Sequence, residues 1–141
     1  MKRETRKQMI GKRIRTERLR RKLSITTLET LCNIPHGKLS RIENGRITLS
    51  VYYIPKLSQM LEIPQKDLCP YDDFQYQPMG VKISYYRKLK GLTQYELAQA
   101  TGISSSTIGH IESLDRIPRE QNLEKISDAL GIRISKLYNH N

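Results

Sequence analysis

The chain has 141 residues, enough for one ordinary domain or two small ones, and its 25 Lys and Arg against 14 Asp and Glu leave a formal net charge of +11. This balance favours a polyanionic partner, and the apolar runs are too short for a membrane span. Two separated cysteines, Cys32 and Cys69, with no CxxC pair and no histidine at zinc spacing, argue against a metal site or structural disulfide and imply no cofactor.

Taken in chain order, residues 1–9 form a basic arm, followed by helices over 10–21, 26–32, 36–44 and 51–61 and a short turn over 65–68. Leu, Ile and Val recur at helical spacing, and no alternation suggests strands. Pro55 falls inside the fourth helix, where it should kink or delay it. Residues 69–80, with Pro70, Pro78, Gly80, two acidic residues and the aromatics Tyr71, Phe74 and Tyr76, read as a linker. A second unit, 81–141, opens with a helix over 81–90 that ends at Gly91. Thr93-Gln94-Tyr95-Glu96 is a capping box for the next helix, which ends at Gly102. Ser104 can cap a third helix through Ser113, a fourth covers 119–130, and a short fifth covers 134–138. The N-terminus is basic, but no apolar stretch with a cleavage site follows, so a secretory leader is not expected.

The two halves are repeats. Shifted by 69 positions, the sequence matches itself without a gap at Ile14/Ile83, Arg18/Arg87, Leu23/Leu92, Leu28/Leu97, Ile34/Ile103 and Ile42/Ile111, and on through Glu43/Glu112, Ser58/Ser127, Leu61/Leu130 and Leu68/Leu137. Most pairs are apolar, so the repeat preserves a core pattern. The expected architecture is all-α: two tandem five-helix domains, over 10–68 and 81–141, joined by a short linker.

Gly91-Leu92-Thr93-Gln94-Tyr95-Glu96-Leu97-Ala98, then Gly102-Ile103-Ser104, Ile108 and Ile111-Glu112, resembles the lambda repressor/Cro-like (XRE-type) helix-turn-helix family. Leu23-Ser24, Leu28, Ile34 and Ser40-Arg41-Ile42-Glu43-Asn44-Gly45 resemble the same family in the first half. The resemblance implies that the third helix of each domain enters the major groove of double-stranded DNA and reads base edges with its N-terminal side chains. On that pattern the base-contact candidates are His36, Gly37, Lys38 and Arg41 in the first unit and Ser105, Ser106, Thr107 and His110 in the second. Arg41 and Lys38 suit guanine N7 and O6, and the hydroxyls suit several bases. Asn44, Arg46, Thr48 and Gln94 are the phosphate-contact candidates. The resemblance also implies that Arg18 with Glu43, and Arg87 with Glu112, are structural ion pairs rather than DNA contacts.

The first unit departs from the pattern. Ile25 stands where the second has Gln94, Glu29 where it has Ala98, and Pro35 where it has the capping Ser104. The second unit places Leu114-Asp115 opposite Gly45-Arg46, and an acidic group beside a phosphate would be unfavourable. Charge is unequal too: net +10 over residues 1–68, −2 over 69–80 and +3 over 81–141. The cations before residue 9 suit either a solvated tail or an arm that follows phosphates. A fully extended twelve-residue linker reaches about 40 Å, enough for one chain to occupy two half-sites about 34–36 Å apart; a homodimer formed through the second unit is the alternative.

These features point to a sequence-specific DNA-binding transcriptional regulator, a repressor in particular, acting in the cytoplasm at the nucleoid. The competing reading is a protein-interaction module of the same fold, an antitoxin or antirepressor, in which one domain mainly contacts protein. No nucleophile elbow, P-loop or HExxH is present, so catalysis and a small-molecule substrate are not expected.

Overall fold

Thr5, five residues earlier than the apolar periodicity suggests, starts the first helix. Its hydroxyl accepts from the Gln8 amide at 3.3 Å, and the Gln8 side chain accepts from the Thr5 amide at 2.9 Å. This reciprocal capping box begins α1 (Arg6–Arg20) inside the segment read as an arm. The computed structural model describes residues 3–114 and 117–138, with no strand among them. Asp115 lies outside the described residues.

The chain divides into two compact units, 1–72 and 73–141. In unit one, α1 is followed by α2 (Ile25–Cys32), α3 (Lys38–Glu43) and α4 (Ile54–Leu61). Pro55 causes no kink, because it sits in the first turn of α4, where no helical partner is needed for a backbone N–H. The expected helix over 51–61 is therefore split: Val51–Tyr53 forms a 3-10 turn and α4 begins after it. Ile14, Leu28, Leu39, Ile42, Ile54, Leu57, Leu61 and Leu68 are buried at the centre.

Unit two contains α5 (Met79–Leu89), α6 (Gln94–Thr101), α7 (Ser105–Leu114) and α8 (Glu120–Leu130). Its core gathers Ile83, Leu97, Ile108, Ile111, Leu123, Ile126, Leu130 and Leu137. All eight align at the repeat spacing with buried residues of unit one; each such side chain contributes about 1.5–3 kcal/mol by leaving water. The fifth element expected in each unit is a single 3-10 turn, Gln65–Leu68 and Ile134–Leu137.

Segment 69–80 is attached to the unit on either side rather than extended. Cys69 is buried and its carbonyl accepts from the Arg6 guanidinium at 2.5 Å. On the other side, the Phe74 ring packs 4.6 Å from Tyr85 and 5.7 Å from Tyr86. The buried Lys82 ammonium donates to the carbonyls of Gln75 at 2.6 Å and Tyr138 at 3.1 Å, and desolvation lowers its pKa. Met79 and Gly80 already belong to α5.

Three corners of each unit share one backbone shape. Lys22, Asn33 and Glu62 have positive φ of 57°, 55° and 54°, and at the repeat spacing stand Gly91, Gly102 and Gly131 with φ of 81°, 73° and 67°. Unit one thus makes with side chains the left-handed turns that unit two makes with glycine.

Candidate nucleic-acid interface

Two contacts hold the third helix of each unit in place. The first is a backbone approach. A Cβ on Gly11 would lie 2.3 Å from the Ile42 carbonyl oxygen, and one on Gly80 would lie 2.3 Å from that of Ile111. Only glycine lets α1 lie against the end of α3, and α5 against the end of α7.

The second is an ion pair. Arg18 Nε donates to Glu43 Oε2 at 2.7 Å and Arg18 Nη2 to Glu43 Oε1 at 3.0 Å. Arg87 and Glu112 repeat the fork at 2.7 and 2.9 Å. Each guanidinium spends a third donor on the carbonyl before the next helix, Leu23 at 2.8 Å and Leu92 at 2.7 Å. All four charged side chains are almost fully buried. The Glu43 hydrogen bond raises the Arg18 pKa above its ordinary value. Such a bidentate pair fixes direction as well as distance. The Gln94 side chain, a candidate for phosphate, donates to Glu112 Oε1 at 3.2 Å while remaining exposed.

The two third helices begin differently. In unit two the Ser104 hydroxyl accepts from the Thr107 amide at 3.1 Å and lies 2.8 Å from the Thr107 hydroxyl, so α7 starts at Ser105 and runs ten residues. In unit one Pro35 offers no hydroxyl. Gly37 takes a left-handed turn with φ of 87°, and α3 starts only at Lys38. Its free amide at Leu39 is met instead by the Glu29 carboxylate, Oε2, at 3.1 Å. The other oxygen of Glu29 lies 3.4 Å from Nδ1 of the exposed His36 ring. Two departures noted in the sequence, Glu29 for Ala98 and Pro35 for Ser104, thereby compensate each other.

Of the base-contact candidates, Ser105, Ser106, Thr107 and His110 are all exposed on α7, the first three in its opening turn and His110 one turn on. In unit one Lys38 and Arg41 share a face of α3, three residues apart, whereas His36 and Gly37 lie in the turn leading into it. Arg41 is exposed; Lys38 is half-buried, its ammonium 5.7 Å from the centre of the Tyr53 ring. The phosphate candidates Asn44, Arg46 and Thr48 are exposed at the end of α3 and just beyond it.

Residues 83–137 match the helix-turn-helix family. The chain is 41% identical over 58 residues to the uncharacterized HTH-type transcriptional regulator YazB of Bacillus subtilis (strain 168), covering 41% of this chain and 84% of that protein. The chain belongs to the helix-turn-helix family. Two HTH-type transcriptional regulators named SinR are also similar. That of Bacillus licheniformis is 39% identical over 62 residues, 43% of this chain and 56% of SinR. That of Bacillus subtilis (strain 168) is 38% identical over 60 residues, 42% of this chain and 54% of SinR. The matches thus span little more than half of either SinR. No solved structure matches the chain.

Some features of this helix-turn-helix protein escaped the sequence reading although a signal was present. Gly11 and Gly80 are identical at the repeat spacing, and extending the repeat to them would have placed Gly80 in a helix rather than a linker. Thr5-Arg6-Lys7-Gln8 is a capping-box sequence that gives α1 its early start. The Glu29 cap had no such signal, because it joins positions ten residues apart through the tertiary fold.

Proposed function

We propose that this helix-turn-helix protein is a sequence-specific double-stranded DNA-binding transcriptional regulator, a repressor, that lays α3 and α7 into the major groove. The observation that carries the proposal is the outward face of α7. Ser105, Ser106, Thr107 and His110 stand exposed on a helix whose inner face is held by Ile108, Ile111 and the Arg87–Glu112 fork. An α-helix fits the width of the major groove, and hydroxyl groups at its leading end with an imidazole one turn on suit base edges. Arg41 is the corresponding reader on α3, with its donors available to guanine. Asn44, Arg46, Thr48 and Gln94 would touch phosphates and set the register. The net charge of +11 supplies the long-range attraction.

Selection of bound sites from a random duplex pool tests this reading. Enrichment of a defined motif is expected. On that motif Arg41→Ala and Ser106→Ala should each relax the preference at their own positions, by about 1–3 kcal/mol for a bidentate contact. A bound pool with no shared sequence would overturn the specificity; failure to bind any duplex would overturn the DNA reading altogether.

A further inference from the structure

The residues leading into α1, the helix itself and the end of α3 enclose an open groove of about 430 Å³, lined by Arg3, Glu4, Gln8, Lys12, Arg15, Glu43 and, just after α3, Asn44. Three cations, Arg3, Lys12 and Arg15, outnumber its two carboxylates. Glu43 is consumed by Arg18, and Glu4 pairs with Lys12. Arg3 and Arg15 are exposed, and neither forms an ion pair among the described residues. The groove cannot drift from the third helix. Gly11 lies against the backbone of Ile42 and Glu43, and Gln8 packs against Gly45, so Lys12 and Arg15 on α1 are held beside Asn44, with Arg3 just ahead of the helix.

We propose that this groove is a DNA-phosphate site that belongs to unit one alone. The assignment rests on the DNA-binding reading above and adds the residues that grip. The helix α3 has six residues, about 9 Å of axis at 1.5 Å per residue, against a major groove about 12 Å wide. A helix that short, inserted between the groove walls, brings the groups at its end close to a sugar-phosphate strand. Arg3, Lys12 and Arg15 stand at that end, with the Asn44 and Gln8 amides between them. They form no part of the base-reading face. At the repeat spacing, unit two has Val81 for Lys12, Ser84 for Arg15 and Ser113 for Asn44. Its equivalent surface carries none of these cations, so the two units would grip DNA unequally even if both read it.

The test is the salt dependence of duplex binding by the full chain, on random DNA and on a selected site. Each phosphate contact adds about 0.9 to the slope of log K against log salt. Replacing Arg3, Lys12 and Arg15 together by Gln should lower the slope by about 2–3 and weaken random and selected DNA by similar factors. A control chain with Arg13, Arg20 and Lys22 replaced by Gln loses the same charge outside the groove and should lose less than one unit of slope. The pair R3K and R15K, which keeps the charge, should retain the slope. All replaced groups are exposed, and unchanged helical circular dichroism melting verifies folding. A groove variant whose slope falls no further than the control's overturns the assignment. If that chain still selects a sequence, only the groove is refuted; if the unaltered chain binds no duplex, the DNA-binding reading itself has failed.

Discussion

The two units solve one structural problem, starting and seating a helix that must present its outer face, with different side chains. Unit two does it locally: Ser104 caps α7, Gly91, Gly102 and Gly131 take left-handed turns, and the small Ala98 lies in the core. Unit one does it at a distance: Glu29 reaches across from α2 to cap α3, and Lys22, Asn33 and Glu62 hold the left-handed turns equivalent to those three glycines. What the two share without substitution is the part that sets the angle of the third helix: the Arg–Glu fork and the glycine contact. Tolerance therefore lies in how a helix begins and ends, and intolerance in where it crosses its neighbour.

The largest expected effect tests the shared part. Glu43→Ala or Glu112→Ala leaves a buried guanidinium without its partner and should cost about 3–5 kcal/mol in urea unfolding. The loss should be greater at Glu112, which also accepts from Gln94, whereas unit one has Ile25 there. Similar, small losses at both positions would break the comparison. Next, Gly11→Ala and Gly80→Ala should each cost about 1–3 kcal/mol, because the added carbon meets backbone that cannot turn aside.

Smaller effects sharpen the difference. Glu29→Ala strands the Leu39 amide and should cost about 1–2 kcal/mol, comparable to Ser104→Ala in unit two at about 1 kcal/mol. Hydrogen exchange should show faster opening of α3 in the first variant and of α7 in the second. Replacing Lys22 or Glu62 by Gly should raise the melting temperature slightly, a gain of up to about 1 kcal/mol, because the left-handed strain exceeds the entropy that glycine adds to the unfolded chain. Replacing Gly91 or Gly131 by Ala should do the reverse.

The smallest effect is one of pH and belongs to unit one. The Glu17 carboxylate is held below its ordinary pKa by its hydrogen bond to Arg21, outweighing its desolvation. A lowered folded pKa means that the unfolded chain binds more protons in acid. The stabilisation is therefore present above the usual carboxylate range and is lost as pH falls through the folded value. The protection of amides at the end of α1, taken relative to their intrinsic exchange rates, should fall on acidification, whereas α5, with Tyr86 at the equivalent position, has no such carboxylate to titrate.

The amino-acid sequence by itself determined the all-helical class, the repeat, the order of the helices and the buried apolar set, because these follow from periodicity and local capping, which neighbouring residues settle among themselves. It also placed Arg41 and the Ser105–Thr107 run outside the core, through the apolar positions around them. Only the tertiary structure decided that Glu29 caps α3, that Lys38 leans on Tyr53, that His36 precedes the helix, and that Arg3, Lys12 and Arg15 line one groove with Asn44. Each of these joins groups distant along the chain, and a pairing of that kind depends on the crossing of packed helices, which no local pattern records.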